Sequence, residues 1–253
     1  MLHWKTGLTS VTFRQKTVEE IISLAKDAGL TGIEWGGDIH VPAGNIDTAA
    51  ETARKTQEAG LEVLSYGSYY RGDEGEDFAP VLESAKALGA PVIRIWAGRK
   101  TFEESSEEER KALAERIREA AEMAQEEGMD LAFEYHRGTA TQTVTGALEL
   151  LKAVRCCNVS CYWQPNPDIS KEEQLAEIDA LLPFLANIHV FAWTGENVRH
   201  PLAEGEANWM EALSHIREGG KNHALILEFV KDDSPEQFQT DAAVLKEWAA
   251  CME

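Results

Sequence analysis

The chain is poor in basic residues: 24 lysines and arginines stand against 44 aspartates and glutamates, for a formal net charge of −20 at pH 7. So acidic a surface repels phosphate backbones and anionic bilayers, which excludes nucleic acid and membrane surfaces as expected partners. It leaves room for a small phosphorylated ligand in a locally basic cleft. Cysteine is scarce, with only Cys156, Cys157, Cys161 and Cys251. No Cys/His spacing for structural zinc accompanies them, so free thiols in a reducing cytoplasm are expected. No apolar run approaches the ~18 residues of a membrane span, and the opening MLHWKTGLTS lacks the basic and apolar blocks of a signal peptide. No G-x-G-x-x-G turn follows the first β-like run, which argues against an open dinucleotide-binding sheet.

What is present is repetition. Eight short apolar runs of β character read as Leu8–Thr12, Gly32–Trp35, Glu62–Tyr66, Val92–Trp96, Asp130–Glu134, Val159–Trp163, Ala186–Val190 and Ala224–Glu228. Most are continuous rather than alternating, as in strands buried on both faces. Helical stretches separate them. Thr17–Glu20, Ser106–Glu109 and Ser170–Glu173 fit the capping-box pattern, and Ser234 precedes a proline at a first helical position. Gly29, Gly60, Gly89 and Gly128 each stand just past a helix and before the next strand. The acidic and arginine-rich stretch 105–127 reads as a solvated outer helix laced by ion pairs. Runs spaced roughly 24 to 38 residues apart suit right-handed βα units. Eight units in 253 residues predict one α/β domain over 1–253, a closed eight-stranded parallel (β/α)8 barrel with outer helices.

In such a barrel the C-terminal strand ends share one mouth. Four runs end on Glu134, Gln164, His189 and Glu228. Two carboxylates, an imidazole and an amide oxygen suit one divalent ion, Mn²⁺, Zn²⁺ or Mg²⁺, rather than a thiolate-selected metal. Taken singly, each glutamate reads as easily as the partner of a lysine or arginine across the barrel. Their shared position at strand ends favours the metal.

With these residues in place, the sequence resembles the xylose isomerase-like (β/α)8 superfamily of sugar-phosphate isomerases and epimerases over essentially the whole chain. That group includes ketose 3-epimerases, hydroxypyruvate isomerases and inosose dehydratases, with apurinic endonucleases as distant relatives. The resemblance implies a metal held by a glutamate, an aspartate, a histidine and a glutamate ending the fifth to eighth strands. By position these are Glu134, Gln164, His189 and Glu228. Gln164 is a departure that removes one negative charge and should weaken the metal, and Asp168 stands near it in sequence. The resemblance also implies that Glu134 and Glu228 move protons through an enediolate, as in metal-dependent isomerisation or epimerisation of a sugar or sugar phosphate.

A second ring of candidates would contact substrate. His40, near Glu34 and Asp38, follows the second run, Tyr66 and Trp96 close the third and fourth, His136 follows Glu134, and Arg199 lies in the loop after the seventh. Arg71 and Arg137 are further cations at the expected mouth. Trp35, Trp96, Trp163 and Trp193 fall at or past strand ends, where about half are expected to wall the cavity and the rest to pack the barrel. Two alternatives stay open: a cyclitol (inosose-like) dehydratase with nearly the same site, and a non-catalytic carbohydrate-binding barrel. A three-metal nuclease fits poorly with seven histidines and a charge of −20. The sequence leaves homo-oligomerisation open.

Overall fold

Eight parallel strands hydrogen-bond into one closed barrel. The computed structural model describes residues 2–252, apart from the side chain of Glu196. In chain order the barrel strands are β1 (Lys5–Thr9), β2 (Gly32–Gly36), β3 (Glu62–Gly67), β4 (Val92–Ile95), β5 (Asp130–Phe133), β6 (Val159–Trp163), β7 (Leu185–Val190) and β10 (Ala224–Leu227), and closure is made by β1 against β10. Between β7 and β10 the chain forms a small antiparallel hairpin, β8 (Trp193–Thr194) and β9 (Val198–Arg199). The outer helices are α1 (Val18–Asp27), α2 (Ile46–Glu58), α3 (Ala79–Leu88), α4 (Glu107–Glu126), α5 (Val144–Val154), α6 (Lys171–Leu181), α7 (Glu206–Glu218) and α8 (Pro235–Met252). Among the described residues no helix is long and apolar enough to cross a membrane.

Local chemistry explains the punctuation. Thr17, Ser106 and Ser170 each complete a capping box, tying down backbone N–H groups that the first helical turn leaves free. Gly29, Gly60, Gly89 and Gly128 all take positive φ, the left-handed conformation that turns the chain from helix towards strand at no Cβ cost.

The first strand begins earlier than expected. Rather than Leu8–Thr12, it spans Lys5–Thr9, and Ser10–Phe13 turns into a 3-10 helix. The turned backbone lets the Ser10 hydroxyl accept the Gly36 N–H (2.9 Å) and the Thr12 hydroxyl accept the Phe229 N–H (3.1 Å). Both bonds satisfy donors just where the neighbouring strands end.

Strand pleating then decides which residues reach the mouth, because alternate side chains face the same side. Ala132 on β5, Tyr162 on β6 and Ile226 on β10 belong to a small cluster inside the barrel, while Leu131, Phe133, Cys161, Trp163, Leu225 and Leu227 join the larger core against the helices. Two residues beyond each inner one, and just past each strand end, stand Glu134, Gln164 and Glu228. Parity alone aims all three inward.

Candidate functional site

Glu134, His189 and Glu228 each offer a ligand atom at the mouth, and these atoms all lie within 4.8 Å of one another. His189 Nδ1 is 3.5 Å from Glu228 Oε2 and 3.9 Å from Glu134 Oε1. Gln164 Oε1 stands 2.9 Å from the same nitrogen. Ligand atoms around a divalent ion, each about 2.0–2.3 Å from it, are themselves separated by about 3–4.5 Å, so this donor set fits one metal ion.

The other ring nitrogen faces the opposite way. His189 Nε2 lies 3.1 Å from Glu34 Oε1 on β2, and the Glu34 side chain is completely buried. Arg94 Nε donates to the same oxygen at 3.0 Å, and the Ser65 hydroxyl donates to Glu34 Oε2 at 2.7 Å. Arg94 Nη1 is also ion-paired with Glu134 Oε2, which accepts the Trp96 indole N–H as well. One guanidinium thus ties two buried carboxylates together. Burial pushes the Glu34 carboxyl up, but Arg94 and His189 outweigh it and hold the group well below the usual carboxylate range. For Arg94, burial acts downward and the charge of Glu34 overcomes it, raising the guanidinium above its usual value.

Arg94 is a member of this cluster that the sequence reading missed. The signal existed: an arginine in the middle of the otherwise apolar strand VIRI must either face a partner inside the barrel or cost several kcal/mol. Its seat depends on Gly67, since a Cβ there would meet Arg94 Nη2 at 2.5 Å.

The pairing of glutamates with a cation across the barrel, weighed above as the alternative to metal binding, is therefore half present. Glu34 and Glu134 share Arg94, whereas among the described residues Glu228 makes no ion pair with lysine or arginine. Counting three carboxylates and one guanidinium, the group carries two excess negative charges, which a divalent ion would balance.

The expected substrate contacts divide. Trp96 has the Arg71 guanidinium 4.0 Å from its ring centre and the His136 imidazole stacked on it at 4.1 Å and 23°. His136 Nδ1 donates to the Arg137 carbonyl at 2.6 Å, leaving Nε2 as an acceptor. Burial lowers the His136 pKa, keeping the ring neutral at pH 7. His136, Arg137, Gln164, Trp193 and Arg199 line one cavity of about 710 Å³. Arg199 also straps the hairpin down, donating to Asp233 Oδ1 at 2.5 Å and to the Val230 carbonyl at 3.4 Å.

Tyr66 and His40 are placed elsewhere. On β3 the register against β2 shifts, from Ile33 opposite Val63 to Glu34 opposite Ser65. The extra residue reverses the parity of the strand, so Ser65 reaches Glu34 and Tyr66 turns out. Tyr66 is fully buried in the outer core, with its hydroxyl donating to the Val41 carbonyl at 2.8 Å. His40 packs edge-on against Trp35, and its Nε2 donates to the Lys16 carbonyl at 3.1 Å. Asp168 does not replace the missing carboxylate: it is exposed and sits 3.4 Å from Arg137. Of the four tryptophans singled out, Trp35 and Trp163 are core residues, and Trp96 and Trp193 remain half-buried at the mouth.

Comparison with known proteins agrees with the fold. A family model described as xylose isomerase-like TIM barrel matches residues 22–248. A curated relative, a 3-dehydroshikimate dehydratase from Bacillus anthracis, is 25% identical over 95% of this chain and 96% of its own. A solved structure of the probable enzyme of that activity from the same organism superposes with a TM-score of 0.79 at 22% identity, covering 96% of this chain and 98% of that one. A 3-keto-D-glucoside 4-epimerase from E. coli gives 0.74 at 17% identity, over 96% of this chain and 99% of that one. A xylose isomerase-like barrel from Mycobacterium smegmatis in complex with magnesium gives 0.75 at 16%, over 100% and 99% of the two chains.

Proposed function

The chain belongs to the xylose isomerase-like TIM barrel family, and from that premise we propose that it is a metal-dependent isomerase or epimerase of a sugar or sugar phosphate. The observation that carries the reading is the convergence of Glu134, His189 and Glu228, with Gln164 beside them, at one end of the barrel. These four residues would hold the ion. When bound, a divalent ion there draws electron density from a substrate carbonyl and its neighbouring hydroxyl, which acidifies the adjacent C–H.

The chain's own groups supply the rest. The carboxylates of Glu134 and Glu228 take the proton from carbon and return it. Arg94 and Trp96 hold Glu134 through Oε2, leaving Oε1 turned towards His189. His136 offers its Nε2 lone pair to a substrate hydroxyl. Trp96 and Trp193 exclude water from the reacting carbons.

Exchange of the substrate's α-proton in deuterated water tests the reading. Protein supplied with Mn²⁺ or Mg²⁺ is followed by proton NMR against a panel of ketoses, ketose phosphates and 3-dehydroshikimate. Exchange with a sugar is expected, and Glu134→Gln and Glu228→Gln should each slow it by about 10²- to 10⁴-fold. A second reading, dehydration of a cyclic hydroxyketone, is favoured by the 25%-identical dehydratase relative. Loss of water from 3-dehydroshikimate would establish it. No turnover and no divalent binding would leave a carbohydrate-binding barrel.

A further inference from the structure

The proposed ligand set is only as good as the orientation of His189, whose Nδ1 meets Gln164 Oε1 at 2.9 Å and whose Nε2 points away from the ligands. An ionised carboxylate accepts hydrogen bonds and donates none, so His189 Nε2, 3.1 Å from Glu34 Oε1, must carry the hydrogen. We propose that Glu34 is a positioning residue that keeps a proton on His189 Nε2, so that Nδ1 is the nitrogen left to face Glu134, Gln164 and Glu228. The inference rests on the metal reading above and adds the residue that orients one of its ligands.

Three features make Glu34 suited to this. It is wholly buried, so water does not compete for its oxygens. Both oxygens are engaged, Oε1 by Arg94 and His189 and Oε2 by Ser65, which leaves the carboxylate one rotamer. Its strand partner Ser65 is delivered by the same register shift that turns Tyr66 away. The irregularity in β3 therefore reads as part of the site. Carboxylate partners of this kind hold a metal-binding histidine in one tautomer and raise its basicity.

The tautomer is measurable without metal and without substrate. Long-range proton–nitrogen correlation spectra of ¹⁵N-labelled, metal-free protein distinguish the two forms, with the His189 signals identified by their loss in His189→Gln. Wild type should show Nε2–H. Glu34→Gln keeps the shape but can turn its NH₂ towards the ring, so Nδ1–H should appear and Mn²⁺ affinity, by calorimetry, should fall about 10- to 100-fold. An Nδ1–H tautomer in wild type overturns the proposal, as does an unchanged tautomer and affinity in folded Glu34→Gln. If the variant fails to fold, the wild-type spectrum alone decides. Wild type that shows Nε2–H yet binds neither Mn²⁺ nor Zn²⁺ supports the positioning and overturns the metal reading beneath it.

Discussion

Arg94 and Glu134 form an ion pair at the floor of the mouth, with side chains only 2% and 3% exposed. Arg94 lies on β4 and Glu134 just past the end of the adjacent β5, and the same arginine also holds Glu34. Buried pairs of this kind add little over an apolar filling, but removing one member leaves charges stranded in a low dielectric. Arg94→Met should therefore destabilise the fold by about 3–5 kcal/mol, read from urea unfolding at pH 7. A loss below about 1 kcal/mol, the range of exposed ion pairs, would show that water reaches these carboxylates.

Glu34 makes stability depend on acid. Its carboxyl is held below the ordinary value of 4.5 in the folded state, burial notwithstanding, by Arg94 and His189. A depressed carboxyl contributes stability that is present above its unfolded value and lost as pH falls towards its folded one. Unfolding free energy should thus drop below about pH 4.5, with this one group contributing up to about 1.4 kcal/mol per pH unit. The matching slope in Glu34→Gln should be shallower. Identical slopes would mean that Glu34 is unperturbed.

Gln164→Asp should tighten metal binding. The buried group now carries two excess negative charges, and aspartate would make three. Attraction to a dication should outweigh the added repulsion with Glu134 and Glu228 while metal is bound. Calorimetric titration of metal-free protein with Mn²⁺ and Zn²⁺, wild type beside variant, reads the change. Unchanged or weaker affinity for both ions would reassign Gln164 to substrate.

Tyr66→Phe separates packing from binding. Its hydroxyl bonds the Val41 carbonyl inside the outer core, so the variant should lose about 0.5–1.5 kcal/mol of stability with KM unchanged. A raised KM at unchanged stability would restore Tyr66 to the substrate contacts expected from sequence.

The sequence by itself determined whatever is local or periodic. Capping residues and left-handed glycines mark helix ends because they satisfy or relax the backbone within a few residues. The two-residue pleat carries Glu134, Gln164 and Glu228 inward from Ala132, Tyr162 and Ile226, so their convergence was legible once a closed barrel was inferred. Tertiary structure decided what depends on a neighbouring strand or a distant partner. The shift between β2 and β3 is a property of the pair, and it exchanges Tyr66 for Ser65. Arg94 could be recognised as anomalous in an apolar strand, but its choice of Glu34 and Glu134, 60 and 40 residues away, needed the barrel to close. The tether of Arg199 to Asp233, 34 residues on, came the same way. Charged side chains pair with whichever opposite charge the fold brings within reach, and that proximity is written in no single segment.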